Sequence, residues 1–162
     1  MIEIEDLDRH STEQLLGSLN YGHLGCSEDG QPYVVPIHFA AIGTDIYLYT
    51  TDGKKSRIIE SNPRVCLQAE DVVDNENWRS VIVLGKAIRV VDEDERTQAI
   101  ERISAVNPRM TPAISVRWMD SWVKENIEVI YRIEPASITG RGTVSRTRTS
   151  APFVPAKKDP AN

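Results

Sequence analysis

The sequence is poor in cysteine and histidine. Cys26 and Cys66 are its only cysteines, forty positions apart and outside any Cys-x-x-Cys motif, which excludes a disulfide framework. The three histidines, His10, His23 and His38, show no zinc-ligand spacing. We therefore expect no metal site, and we expect both cysteines to be small residues within strands.

Long apolar runs and an excess of basic residues are also absent. Charge, His or Gly interrupts each apolar stretch before the roughly 20 residues that a bilayer requires, so we expect no membrane span. The first ten residues, MIEIEDLDRH, lack the features of a secretory signal, which favours a reduced, cytoplasmic protein. The net charge of −5 disfavours nucleic acid as a partner, because phosphate binding requires a broad basic surface.

Charge is unevenly distributed along the 162 residues. Residues 141–162 carry five Lys or Arg against one Asp, a local charge of +4, so residues 1–140 carry −9. The same segment is rich in Ser, Thr and Pro and has little apolar surface to bury. We expect one folded domain over residues 1–140, followed by a basic and flexible tail over residues 141–162.

Alternating apolar residues and turn motifs predict a mainly β fold. Asp29-Gly30 separates two strand-like segments, 21–27 and 33–41, and Asp-Gly is typical of a hairpin turn. Further strands are predicted at 46–50, at 64–73, at 78–91 and from residue 127 onward. The sequence thus predicts a mainly β fold, a small six-stranded antiparallel β-barrel with short flanking helices.

The flanking helices are predicted by their capping patterns. Ser11 with Gln14, and Asp92 with Glu95, have the spacing of helix N-caps, and a third short helix fits residues 53–62. Residues 107–124 are broken by two prolines and give no clear pattern. Gly85, inside the longest strand, indicates a bulge or a close backbone approach.

Pro36 is the first indication of a binding site. A proline has no N–H to give to a neighbouring strand, so its strand must be open on one side at that point. Exposed backbone groups on such a strand can bind the edge of a planar heterocycle. An ordinary edge strand is an equally good interpretation of Pro36 by itself.

The segment TTDGKKS, from Thr50 to Ser56, is the second indication. Two hydroxyls, a glycine and the pair Lys54 and Lys55 stand directly before a predicted helix, whose N-terminus attracts anions. It is not a nucleotide-triphosphate loop, because Leu48 occupies the place of the first glycine. A solvated lysine pair is the alternative, but the open strand one hairpin away favours a phosphate site.

His38 is two residues beyond Pro36 and is expected on the same face of the strand. An imidazole there is suited to donate to a cofactor or to move a proton near neutral pH, so His38 is the candidate catalytic residue. A structural histidine in the barrel wall is the alternative.

Four segments, in this order and spacing, carry a family resemblance: PYVVPIHFA, IYLYTTDGKKSRIIESNPRVCL, NWRSVIVLGKA and IYRIEPASITGR. Together they resemble the FMN-binding split-barrel family related to pyridoxamine 5′-phosphate oxidase. Within that family the nearer likeness is to the branch of the nitroimidazole-resistance reductases, in which a YG-LG strand, a DG turn and a VPI-F strand open the domain.

The resemblance implies a homodimer with FMN in clefts between the subunits. The isoalloxazine would lie against the backbone of Val34, Val35, Pro36, Ile37, His38 and Phe39. The phosphate would be held near the basic pair by Tyr49, Thr50, Thr51, Lys54 and Lys55. The second subunit would contribute Trp78, Arg79 and Ser80.

The expected activity is that of an FMN-dependent oxidoreductase acting on a small-molecule electron donor and acceptor. A true pyridoxamine 5′-phosphate oxidase is not expected, because the C-terminal segment lacks the tryptophan and the arginine-rich pattern of those enzymes. Two alternatives remain open: a flavin-binding or sensory protein without turnover, and a related barrel that holds a deazaflavin or haem.

Overall fold

The computed structural model describes residues 2–107, 117–119, 122–124 and 128–144. Their elements in chain order are β1 (Glu3–Asp6), α1 (Arg9–Ser18), β2 (Tyr21–Glu28), β3 (Gln31–Ile42), β4 (Asp45–Thr51), α2 (Lys54–Ser61), β5 (Arg64–Asp74), β6 (Asn77–Arg89), α3 (Glu93–Val106), β7 (Arg117–Met119), β8 (Trp122–Lys124) and β9 (Glu128–Val144). None of the described helices is long and apolar enough to cross a membrane.

The main sheet is antiparallel and closes into a barrel. Its strand order is β1-β9-β4-β3-β2-β5-β6, and β6 also pairs with β9. Six strands therefore form the closed barrel, and β1 is added at its edge through pairing with the last residues of β9. The predicted fold class is confirmed. The sheet has one more strand than predicted, because β1 is short and exposed and shows no alternation that would mark it.

Strand β9 holds the barrel together by pairing with three strands in turn. Its first six residues pair with β4, the stretch from Tyr131 to Gly142 pairs with β6, and its end pairs with β1. The strand continues to Val144, four residues beyond the predicted domain end at residue 140, because Gly142 and its neighbours still find partners in β6 and β1.

Gly85 lies where β6 changes register against β9, as predicted from its place inside a strand. A side chain at this position would collide with the backbone carbonyl of Glu134. Only glycine lets the two strands approach this closely.

Two apolar clusters fix the barrel and its helices. The first fills the barrel interior and receives Leu15 and Leu16 from α1 and Ile58 and Ile59 from α2. The second lies outside the barrel, where α3 packs on β4 and on the last part of β3. The outer face formed by β2, β5, β6 and the first part of β3 is left uncovered by the described residues.

Residues 107–124, for which the sequence gives no clear pattern, include a short hairpin. Trp118 of β7 pairs with Val123 of β8, and Met119 pairs with Trp122. The two tryptophans therefore belong to strands.

Candidate functional site

Strand β3 is open along its first half, as Pro36 predicts. The strand pairs with β2 from Gln31 to His38 but with β4 only from His38 to Ile42. Asp29 and Gly30, both with positive φ (49° and 78°), make the tight turn that joins β2 to β3. Residues 31–37 thus have a strand neighbour on one side only, and we call their free side the open edge.

The open edge presents a specific set of backbone groups. The N–H of Phe39 donates to the carbonyl of Asn20 at 3.0 Å, so the odd-numbered residues of β3 direct their polar groups toward β2. Backbone direction alternates along an antiparallel strand, so Pro32, Val34 and Pro36 direct theirs toward the open edge. Both prolines lack an N–H. The edge therefore offers three carbonyl oxygens and a single N–H, that of Val34.

The side chains of the predicted β3 site divide between two faces. Ile37 and Phe39 are buried in the barrel core, and Val35 packs against it. Because the backbone polar groups of these three residues also point toward β2, they shape the strand and offer no free group at the open edge. Val34 and Pro36 point outward and are exposed, and the Val34 side chain is 62% exposed.

Helix α2 begins beside this edge, and Lys54 links the two. Its Nζ lies 4.7 Å from the ring centroid of Tyr33, a residue of the open half of β3. This cation–π contact places an exposed ammonium group next to the open strand.

Lys55 is in a different environment from its neighbour. Its Nζ donates to the backbone carbonyl of Thr51 at 3.3 Å. Burial lowers the pKa of Lys55, an effect opposed by the charges of Cys26 and Asp52. The two predicted phosphate-binding lysines are therefore not equivalent, and Lys54 is the more available one.

The start of α2 already holds a carboxylate. Asp52 Oδ1 accepts from the backbone N–H of Gly53 at 3.2 Å and from the hydroxyl of Ser56. Ser56 Oγ also accepts from the Gly53 N–H at 2.8 Å. The predicted anion site at this helix N-terminus is thus partly filled by the chain itself, and an external phosphate would meet Asp52 there.

The β4 residues predicted to bind phosphate are engaged in internal contacts. The Tyr49 hydroxyl donates to Glu128 Oε1 at 2.6 Å. Burial, followed by this hydrogen bond, raises the pKa of Tyr49 to about 12. Thr50 is buried, and its hydroxyl lies 3.5 Å from the carbonyl of Thr51. For these groups to reach a ligand, internal partners would have to be exchanged.

Trp78, Arg79 and Ser80 lie near the hairpin between β5 and β6. The Trp78 N–H donates to Thr143 Oγ1 at 3.1 Å, and Arg79 pairs with Asp71 at 2.8 Å. Lys86, at the other end of β6, is the residue paired with Arg64 directly after α2. Six residues of β6, about 20 Å of strand, separate Ser80 from Lys86, which lies opposite the residue that follows the C-terminal end of α2. No described contact joins these three residues to Lys54 within one chain, and the family resemblance assigns them to the second subunit.

His38 lies on the outer face at the point where β4 joins β3. Its Nδ1 is 3.1 Å from Asn107 Oδ1, and its ring meets that of Tyr21 edge to face at 5.3 Å between centroids. Asn107 was not identified from the sequence. An Asn before Pro108 is typical of a helix end, but this pattern does not reveal a partner 69 residues away.

A groove adjoins the open edge on the uncovered outer face, with a volume of about 1020 Å³. Its lining includes Val34, Cys66 and Leu84, with the cationic residues Arg64 and Lys86 opposite each other at one side. The lining also includes Glu134, the cross-strand partner of Lys86, so the groove combines an apolar floor with two cations and one carboxylate. This suits a ligand that is largely apolar and carries an anionic group.

Comparison with known proteins gives one family match and one curated relative. Residues 8–142 match the family model described as pyridoxamine 5′-phosphate oxidase. An uncharacterised protein of Rhizobium meliloti is 34% identical over 80 residues, which is 49% of this chain and 53% of that protein. The match therefore spans about half the length of the curated relative.

Solved structures share the fold over most of the chain. A FAD-binding protein from Mesorhizobium loti is 25% identical, with a TM-score of 0.71 over 90% of this chain and all of that one. A FAD-binding protein from Mycobacterium smegmatis is 24% identical, with a TM-score of 0.60 over 86% and 98% of the two chains. A 5-nitroimidazole antibiotic resistance protein from Bacteroides thetaiotaomicron is 19% identical, with a TM-score of 0.67 over 88% and 89%.

Proposed function

Because the chain belongs to the pyridoxamine 5′-phosphate oxidase family, we propose that it is a flavoprotein that binds FMN at the open edge of β3. The observation that carries this proposal is the juxtaposition of that edge with Lys54, which the Tyr33 ring holds beside it. The FAD-binding proteins among its structural relatives support a flavin as the ligand class.

The groups of the open edge fit the polar side of a flavin ring. The pyrimidine edge of a flavin has one N–H between two carbonyl oxygens, and the open edge has one N–H between carbonyl oxygens of its own. An N–H of each partner can thus meet an oxygen of the other. Val34 supplies the protein donor, and Pro32 and Pro36 supply carbonyl acceptors.

Lys54 is the residue we assign to the phosphate. It is exposed and lies against the open half of β3. Lys55, Thr50, Thr51 and Tyr49 would complete the site after exchanging the internal partners described above. Asp52 at the helix start favours approach of the phosphate from the Lys54 side, because like charges repel.

We infer a homodimer in which Trp78, Arg79 and Ser80 of a second copy complete the cleft. The uncovered outer face supports this inference. One row of cross-strand partners traverses it: Val34, Gly25, Cys66, Leu84 and Ser137. Val34 and Leu84 are 62% and 48% exposed in the single chain, which is typical of a surface that a partner covers. We call these five residues the transverse row.

The proposed activity is oxidoreduction of a small molecule. A bound flavin supplies hydride and electron transfer. The chain contributes the ring-binding edge, the cation for the phosphate and His38 for proton movement. We do not propose pyridoxamine 5′-phosphate as the substrate, since the sequence lacks the C-terminal pattern of those oxidases. We further propose a single barrel domain that ends at Val144, followed by the basic tail.

FAD is the second candidate cofactor, and the groove supports it. Arg64 and Lys86 line the same groove as Val34, and a second phosphate and an adenosine group would find charge and apolar surface there. Extraction of the purified protein distinguishes the two, because FMN and FAD differ in mass.

The decisive experiment is an absorbance spectrum of the purified protein, followed by anaerobic addition of NADH or NADPH. Flavin absorbance that bleaches on addition supports an oxidoreductase. Flavin absorbance that no electron donor bleaches supports the binding or sensory alternative. A deazaflavin or haem spectrum would overturn the FMN proposal.

A further inference from the structure

Asn107, which follows the last residue of α3, is a buried amide with an unambiguous orientation. Its side chain is 7% exposed. Nδ2 donates to the carbonyl of Ile103 at 3.0 Å and lies 3.4 Å from the carbonyl of Phe39. The flipped amide would place Oδ1 against two carbonyl oxygens, which repel it. The amide oxygen of Asn107 therefore faces His38.

This orientation determines which nitrogen of the neutral His38 ring carries the proton. An amide oxygen only accepts hydrogen bonds, and Nδ1 of His38 lies 3.1 Å from it. Nδ1 must therefore carry the hydrogen. In a neutral imidazole the other nitrogen, Nε2, is then a bare acceptor.

The remaining surroundings leave Nε2 available. Tyr21 packs edge to face on the ring, and no described residue forms a hydrogen bond with Nε2. The His38 side chain is exposed on the outer face, two positions from Pro36 on the open edge. His23, nearby on β2, has a similar contact: its Nδ1 lies 3.3 Å from Gln68 Oε1. Gln68 is less buried than Asn107, so His23 serves as a comparison in which the amide partner is less fixed.

We propose that Asn107 is a positioning residue that holds neutral His38 as the Nδ1–H tautomer, so that Nε2 acts as a proton acceptor beside the open edge. For its consequence in turnover this inference rests on the proposed function. A substrate would present an O–H or N–H group to Nε2. Its proton would pass to Nε2 as the substrate bond to hydrogen breaks, leaving the electron pair on the substrate and a positive charge on His38.

The proposal changes the role expected for His38. The sequence predicts that His38 donates to a cofactor or moves a proton, but the neutral ring held by Asn107 has no proton to give from Nε2. Donation from that atom requires prior protonation. The site therefore selects substrates with a hydroxyl or amine group at this position over those with a carbonyl or nitro oxygen, for as long as His38 is neutral.

Nitrogen-15 NMR of the three histidines tests the tautomer directly. His38→Gln and His23→Gln assign the signals. We expect the wild-type protein to show a protonated Nδ1 and an unprotonated Nε2 for His38. Asn107→Leu removes the acceptor and should lose this pattern. Asn107→Asp retains an acceptor for the Nδ1 hydrogen, but its negative charge should favour a second proton on Nε2, and its second oxygen would face the carbonyls of Ile103 and Phe39. Asn20→Ala is the matched control, because Asn20 donates to the neighbouring Val106 carbonyl at 2.6 Å and does not contact His38.

Kinetics provide the second measurement. Asn107→Leu should lower kcat about tenfold with little change in KM. This is less than the roughly 10²–10⁴-fold effect of a general acid or base itself, because the imidazole of His38 remains. An Nε2–H tautomer in the wild-type protein, or an unchanged tautomer in Asn107→Leu, would overturn the proposal. Absence of turnover in the wild-type protein would refute the oxidoreductase function, while the NMR result would still decide the role of Asn107.

Discussion

Lys54 and Lys55 are adjacent in the chain, yet their ammonium groups lie in different surroundings. The Lys54 ammonium group lies over Tyr33 at the open edge, and the Lys55 ammonium group bonds to the Thr51 carbonyl. The sequence identified both residues through their position before a helix. It could not separate them, because their difference depends on contacts with β3 and β4.

We expect Lys54→Ala to weaken flavin binding by about tenfold, equivalent to about 1.4 kcal/mol, because an exposed cation beside the cleft is lost. Lys55→Ala should have a smaller effect on affinity. Arg57→Ala is the control, since it removes the same charge from an exposed position on the same helix. Titration of the apoprotein with FMN measures all three. Equal affinity of Lys54→Ala and wild type would remove Lys54 from the site.

The raised pKa of Tyr49 predicts how the free energy of unfolding depends on pH. Its pKa in the folded chain is about 12, above the ordinary value of 10.0, because of burial and the bond to Glu128. The unfolded chain therefore loses the Tyr49 proton first as pH rises. The stabilisation is fully present below about pH 10 and is lost as pH rises toward 12.

We expect Tyr49→Phe to be less stable than wild type at pH 9, by about 1 kcal/mol for the lost hydrogen bond. The difference should shrink at pH 11, because only the wild-type protein is destabilised by ionisation of this hydroxyl. Denaturant unfolding of both proteins at the two pH values measures the change. A constant difference would mean that Tyr49 ionises normally in the folded chain.

The residues of the candidate site were predictable to different degrees. Pro36 and Lys54 carry local information, a missing donor and a charge before a helix, and the sequence identified both. The inward direction of Ile37 and Phe39 follows from strand alternation once register is known. The contact between His38 and Asn107 joins β3 to the end of α3. The two residues are 69 positions apart in the sequence, and no local pattern predicts such a contact.

At the level of the elements, the close approach of β6 to β9 requires a glycine at position 85. A Cβ at Gly85 would collide with the Glu134 carbonyl, a backbone group with little freedom to move. A Cβ at Gly25 would meet Cys66 at ordinary contact distances of 3.6 Å and 3.7 Å. Gly85 thus has no room for a side chain, whereas Gly25 has room for a methyl group.

We expect Gly85→Ala to lower the free energy of unfolding by about 2 kcal/mol, in the range found for overpacking. Gly25→Ala should change it by less than about 0.5 kcal/mol. Urea unfolding of the two variants and the wild type tests the comparison. Similar stability of Gly85→Ala and Gly25→Ala would show that β9 moves away from β6 without cost.

The barrel strands were predictable because each buries one face and so alternates apolar and polar residues. Strand β1 lacks such a face. The end of β9, with Thr139 and Arg141 exposed, has the composition of a tail and is held in the sheet by backbone pairing with β1 and β6. Strands defined by pairing rather than by burial are not visible in a single sequence.

For the whole molecule, coverage of the barrel is asymmetric. Helix α3 covers the outer face of β4 and the start of β9. It forms an ion pair with each strand, Glu95 with Arg132 of β9 and Arg102 with Asp45 of β4. The transverse row crosses the opposite face, which has no described helix over it. This exposed face carries outward Val34 on β3 and Leu84 on β6, with the small residues Gly25 and Cys66 on the two strands between them. It is the surface on which we expect the second copy to pack.

We expect the wild-type chain to be a dimer, with twice the monomer mass of 18.2 kDa in light scattering, and Leu84→Lys to shift it toward the monomer. Leu84 occupies the transverse row, so a buried lysine there would lack a partner and oppose association. Val91→Lys is the control: Val91 is 79% exposed and lies outside the row, so its replacement should leave the mass unchanged. Because the proposed cleft takes Trp78 from the second copy, the Leu84→Lys monomer should also bind flavin more weakly. A monomeric wild-type protein that retains its flavin would contradict both the interface and the shared cleft.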